Sequence, residues 1–201
     1  MTAGGDSKPD AAFLRAMSAL GDEYVTRSDP IEQSGFTGGP ARWREERSPI
    51  VQAIDRDGSF LDVGCANGKL AADVRSWALE RGHHVDIHGI DLSRRLVEIA
   101  QRTVDGTFEV ADAWTWEPDR QWTFVYTTLD ISPPDLWPAW LRRIAGWIEP
   151  HGRMIVGAYG SRSGGIVPPN VADVLTSVEF ELLGSADVGH PMTARFAWTQ
   201  V

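Results

Sequence analysis

The sequence predicts an α/β fold built around a mostly parallel sheet. Three observations carry that prediction. Short apolar runs alternate with runs of helical period from Ser59 to about Ser177. An acidic residue stands at or next to the end of three successive apolar runs, at Asp62, Asp91 and Asp112. A glycine turn from Gly64 to Gly68 follows the first run directly. Alternation of this kind gives parallel strands joined by right-handed helical crossovers.

The segment before the core reads as an N-terminal helical cap and lid over residues 1–58, with the core at 59–201. Ala11 to Leu20 carries Phe13, Leu14, Met17 and Leu20 at helical spacing. Gly21 to Pro40 is polar and irregular, and the glycine-punctuated stretch Gly21 to Arg47 has the character of a lid that orders over a ligand. Arg42, Arg44 and Arg47 gather around Trp43. The simplest reading is a helix with its tryptophan inward and its arginines solvated. The alternatives are one arginine reaching an anionic ligand group, or a contact to nucleic acid. Ser48-Pro49 reads as the N-cap and first residue of a helix through Ile50, Val51 and Ile54, ended by Asp55 to Gly58.

The core opens with the strand Phe60-Leu61-Asp62-Val63, the turn Gly64-Cys65-Ala66-Asn67-Gly68 and a helix from Lys69 to about Arg81. Small residues there let backbone approach a ligand, and the new helix presents free N–H groups. A phosphate-gripping loop spaces its glycine further from the Gly-Lys pair and follows it with Ser or Thr, whereas Leu70 follows Lys69 here. The dinucleotide fingerprint needs a glycine where Ala66 stands. A second strand, His83 to Asp91, ends in an acid placed to accept from ribose hydroxyls, which a NAD site would also do. Ser93 caps a helix with Leu96, Val97, Ile99 and Ala100 inward. The third strand, Thr107 to Ala111, ends in Asp112-Ala113-Trp114.

These residues together resemble the class I S-adenosylmethionine (SAM) dependent methyltransferases. D-V-G-C-A-N-G is similar to the family's first motif, with alanine where a glycine is common, and Asp91 and Asp112 follow in the family's order. The resemblance implies a Rossmann-like three-layer sandwich with a seven-stranded sheet and an antiparallel C-terminal strand. It implies SAM as cofactor, held by Asp62, Gly64, Cys65, Ala66, Asn67, Gly68, Asp91, Leu92, Asp112, Ala113, Trp114 and Thr128. Asp91 would hold the ribose and Asp112 the adenine amino group.

The remaining elements fit. Trp122 to Leu129 is the fourth strand, followed by Asp130-Ile131-Ser132-Pro133-Pro134 and a helix with Leu136, Trp140, Leu141, Ile144 and Trp147 inward. Glu149-Pro150-His151-Gly152 turns into a fifth strand, Arg153 to Ala158, a turn that also resembles the family. Strands at Glu179 to Ala186 and Thr193 to Thr199 close the sheet.

Asp130 and His190 are the candidate catalytic groups. Asp130 follows the fourth strand, where it could accept a proton, orient an amine or touch the cofactor's amino-acid end; alternatively Asp130 or Ser132 caps the next helix. His190 lies in the final hairpin turn, at the carboxyl ends of the strands, as a general base or as a solvent-facing turn residue. His83, His84 and His151 precede strands and belong to the opposite end of the sheet, and His88 is structural. Of the 9 tryptophans, Trp77, Trp140 and Trp147 fall on helices and read as core. Trp114 and Trp116 flank the adenine position, and Trp43 could roof an acceptor pocket.

Composition narrows the partners. Lys and Arg total 19 against 28 Asp and Glu, a formal net charge of -9 that disfavours nucleic acid. The single cysteine, Cys65, forms no internal disulfide or cysteine metal site, and no metal is expected. Its position at a helix start leaves a reactive thiolate or a small packed residue. No apolar run is long enough to span a membrane and the N-terminus lacks a signal layout, so a cytoplasmic location is expected. The leading expectation is methyl transfer to a small organic molecule. A nucleic-acid or protein methyltransferase, a non-catalytic SAM-binding domain and a dinucleotide reductase are the alternatives.

Overall fold

The computed structural model describes residues 8–161 and 164–201. One seven-stranded sheet runs through them in the order β3-β2-β1-β4-β5-β7-β6. Its strands are β1 (Gly58–Val63), β2 (Val85–Asp91), β3 (Thr107–Val110), β4 (Trp122–Thr128), β5 (Ile148–Tyr159), β6 (Leu182–Val188) and β7 (Ala194–Gln200). β1 to β5 pair in parallel, and β7 lies antiparallel between β5 and β6. The helices are α1 (Ala11–Val25), α2 (Gly39–Arg47), α3 (Lys69–Glu80), α4 (Arg94–Thr103), α5 (Trp137–Ala145) and α6 (Val171–Ser177). This is the Rossmann-like α/β sandwich with the antiparallel strand that the resemblance implies. Among the described residues, no helix is long and apolar enough to cross a membrane.

Parallel strands covered on both faces must be apolar throughout, because successive side chains enter opposite layers. Phe60 of β1 joins one core with Val74, Val97 and Ile50, and Leu61 joins the other with Trp140, Leu141 and Leu175. The second layer is rich in tryptophan. Trp140 lies 5.0 Å from Trp114 and 6.3 Å from Trp147, and Trp116 lies 5.7 Å from Trp122.

Several local expectations shift. α1 continues through Gly21 to Val25, and that glycine is a contact point: a Cβ there would meet Ser93 Cβ at 2.8 Å. The stretch after Arg47 is a 3-10 helix, Ser48–Ala53, with no side-chain cap from Ser48. Ile50 and Ala53 are fully buried in the sheet's own core, so the N-terminal cap and the sheet share that core. Neither Asp130 nor Ser132 caps α5, whose N-cap position is Leu136. The Trp137 indole instead donates to Leu129 O at 2.9 Å and Ser132 O at 3.1 Å, fixing the loop after β4.

Candidate functional site

The chain winds outward from β1 to β2 and β3, then returns to β4 on the other side of β1. A crevice forms where the winding reverses, beyond the carboxyl ends of the strands. A cavity of about 270 Å³ fills it. Asp62, Gly64, Cys65 and Ala66 line it from β1 and its turn, Asp91 and Leu92 from β2, and Asp112, Ala113 and Trp114 from the end of β3. Thr128, Asp130 and Ile131 line it after β4, and Tyr159 at the end of β5. Phe13, Leu14 and Met17 of α1 cover it.

The glycine turn is held from within. Gly64 has φ +83°, and a Cβ there would meet Ile131 Cδ1 at 2.7 Å, so glycine is required twice over. Ala66 takes φ +47° and donates its N–H to Asp91 Oδ2 at 2.8 Å. Asp91 Oδ1 accepts from the Ser93 N–H at 2.8 Å. Asp91 therefore fastens the turn to the start of α4 while facing the cavity. Burial raises its pKa, and these two backbone bonds work against that rise.

Asp62 is 1% exposed, and its Oδ2 has no hydrogen-bond partner among the described residues. Burial, and then the neighbouring Asp91, push its pKa up to about 7. A buried oxygen left without a partner is costly unless a ligand group meets it. Asp112 Oδ1 accepts from the Trp114 N–H at 3.0 Å. Arg143 of α5 ties down the same loop, donating to Ala113 O at 2.9 Å and to Trp116 O. The Cys65 thiol packs against Gly89, where a Cβ would lie 2.8 Å from Sγ, and burial pushes its pKa well up. A thiolate nucleophile at Cys65 is thereby disfavoured.

The three arginines of α2 separate. Arg42 pairs with Glu46 at 2.8 Å, and the exposed Arg44 pairs with Glu80 at 2.5 Å. Arg47 is 7% exposed and lines the cavity, which departs from the expectation of solvated arginines. Its guanidinium lies 3.6 Å from the Tyr159 ring centroid, 4.7 Å from Phe36 and 5.1 Å from Trp43. Tyr159 in turn shares a 2.6 Å hydrogen bond with Tyr126, whose hydroxyl burial holds well above its ordinary pKa. Trp43 borders the cavity and donates its indole N–H to Asp73 at 2.6 Å.

Other expected site residues stand elsewhere. Asn67 is buried with its amide turned from the cavity, donating to Pro30 O at 2.9 Å and Gln33 Oε1 at 3.1 Å. It clamps the N-terminal segment onto the turn. Gly68, at φ +74°, is the N-cap of α3 and does not line the cavity. Trp116 does not reach it either; its indole N–H donates to Glu109 at 3.2 Å and its ring packs on Trp122. His190 is exposed in the β6–β7 turn, outside β5, and takes no part in the lining. His83, His84 and His88 border a groove beside the start of β2. Sequence reasoning passed over Tyr24, Tyr126 and Tyr159. A sign of the covering helix was present in the Phe13, Leu14 and Met17 stripe.

Residues 60–152 match a family described as a methyltransferase domain. Phosphoethanolamine N-methyltransferase 3 of Arabidopsis thaliana is 31% identical over 145 residues, which cover 67% of this chain and 28% of that protein. The match thus spans little more than a quarter of that relative. The N-methyltransferase NodS of Bradyrhizobium japonicum, in complex with S-adenosyl-L-homocysteine (SAH), superposes with TM-score 0.68 at 12% identity, covering 92% of this chain and 97% of NodS. The 1,6-didemethyltoxoflavin-N1-methyltransferase of Burkholderia thailandensis, with its substrate and SAH, gives 0.61 at 19% identity, covering 96% and 92%.

Proposed function

We propose that this chain, which belongs to the class I SAM-dependent methyltransferases, binds SAM in the cavity beyond β1, β2 and β4 and catalyses methyl transfer to a small organic acceptor. The observation that carries this reading is the set of carboxylates from successive strands, Asp62, Asp91 and Asp112, around one cavity. Bound SAH in the two solved relatives supports the same cofactor class.

The residues present fit such a ligand. Each Asp91 oxygen accepts one backbone N–H and keeps lone-pair capacity for a ribose hydroxyl. Asp112 is available to an adenine amino group, with Leu92, Ala113 and Trp114 beside it. The unpartnered Asp62 oxygen suits the ammonium of an amino-acid tail. Arg47 is a cation for its carboxylate, and Thr128 adds a hydroxyl at the same end. The bound cofactor would supply an electrophilic methyl group on a sulfonium sulfur. The chain's part is to align an acceptor with that methyl and to exclude water with α1 and Trp43.

A small acceptor is favoured by the cover that α1 makes over the cavity. Arg42 and Arg44 are engaged with Glu46 and Glu80, which weakens the case for nucleic acid. Calorimetry with SAM, SAH and NAD tests the proposal. SAM and SAH should bind in the micromolar range and NAD should not. Failure of both SAM and SAH to bind at millimolar concentration would overturn it.

A further inference from the structure

We propose that the methyl acceptor is a small amine, held at the mouth of the cavity by the Asp130 carboxylate beside Tyr24. This rests on the methyltransferase reading above and adds the chemical class of the acceptor.

Asp130 differs from the other carboxylates of the cavity. It stands in the 3-10 turn Leu129–Ile131 at the end of β4, lines the cavity, and is exposed. It makes no hydrogen bond or ion pair among the described residues. Its negative charge reaches two phenols from different parts of the chain. Tyr24 of α1 has its pKa raised first by burial and next by Asp130, and Asp130 also acts on Tyr159. The nearby cation Arg47 lies on the Tyr159 ring at 3.6 Å and within 3.8 Å of Glu46 Oε2, and its charge is the one assigned above to the cofactor carboxylate. The acceptor end thus presents a carboxylate without a partner among the described residues, in a cavity that Tyr24 and Tyr159 also line. That environment attracts a cation and repels an anion.

The chemistry selects among acceptors. A carboxylate acceptor would approach against Asp130. An alcohol would need a base strong enough to remove its proton, and a carboxylate is a weak one. An amine needs no base while it makes the bond. It is recruited as an ammonium beside Asp130 and gives up one proton to water. The nitrogen lone pair then forms the N–C bond as the sulfonium C–S bond breaks, with that electron pair remaining on sulfur. The positive charge moves from sulfur to nitrogen, where the Asp130 carboxylate stabilises it as it develops.

The test uses the full chain saturated with SAH and reads binding by calorimetry. The probes are ethanolamine, putrescine and phenethylamine, each against its alcohol counterpart: ethylene glycol, 1,4-butanediol and phenethyl alcohol. At least one amine should bind about tenfold or more tightly than its alcohol, as a charge-assisted contact implies. Asp130→Asn should abolish that preference while leaving SAH affinity within about twofold, because Asp130 is exposed and bonded to no neighbour among the described residues. Amines that bind no better than their alcohols, or a preference that survives in Asp130→Asn, would overturn the inference. Absence of SAH binding would instead strike the cofactor reading itself.

Discussion

Asp91 and Asp130 follow strands that flank β1 on its two sides, and their surroundings are opposite. Asp91 is held by two backbone N–H groups, one from the glycine turn and one from the start of α4. Asp130 is bonded to nothing among the described residues, and its neighbours Tyr24 and Tyr159 come from α1 and β5. The proposed cofactor side is thus preorganised by local backbone, with Asp91 doing structural duty as well. The proposed acceptor side is assembled from distant segments, with Asp130 exposed. A constant ligand suits a rigid site, and a variable one suits a site whose side chains can change without cost to the fold.

The contrast breaks most sharply at Asp91. Asp91→Ala should weaken SAH binding by about 100-fold or more and also destabilise the protein by about 1–3 kcal/mol, since it strands the Ala66 and Ser93 N–H groups. Calorimetry and thermal melting read the two effects. Unchanged SAH affinity would remove Asp91 from the site.

Asp62 gives the next largest effect, as a pH dependence of the unliganded protein. Its carboxyl is raised from 3.8 to about 7, so across that interval the folded state keeps a proton the unfolded chain has released. Stability should therefore fall as pH rises from 3.8 to about 7. The decline is worth up to about 1.4 kcal/mol per pH unit. Asp62→Asn should flatten this part of the melting profile and exceed the wild type at mildly alkaline pH. Indistinguishable profiles for the two proteins would show that Asp62 does not titrate there.

Arg47→Met keeps a long side chain against Tyr159 and removes the charge. SAH affinity should drop about tenfold, roughly the 1.4 kcal/mol of one charge-assisted contact. An unaltered affinity would leave Arg47 as a packing residue. The smallest effect belongs to His190. His190→Ala should leave both SAH binding and methyl transfer within about twofold of wild type, and a large loss in transfer would return the hairpin turn to the site.

The residues that were legible in advance share a physical basis. The run from Asp62 to Gly68 announces itself because its backbone geometry demands small residues close together in sequence, as the +83° φ of Gly64 and its contact with Ile131 demonstrate. Asp91 and Asp112 are readable because a parallel sheet delivers the ends of its strands to one edge. Asn67 and Gly68 belong to the same motif and yet do not line the cavity. Nothing in a linear motif tells which of its side chains turns inward. Trp116 and His190 mislead in the same way: position near a strand end is visible, but direction is not.

The sequence by itself determined the strand–helix alternation and which strand-end carboxylates line the cavity at the carboxyl ends of the strands, because hydrophobic period and turn chemistry act over a few residues. Tertiary structure alone decided that α1 runs on through Gly21, that Arg47 rather than Arg42 or Arg44 enters the cavity, and that Asp130 and Tyr24 line one cavity. Those outcomes depend on close packing between segments far apart in the chain, where steric fit and burial choose among side chains that look alike in sequence.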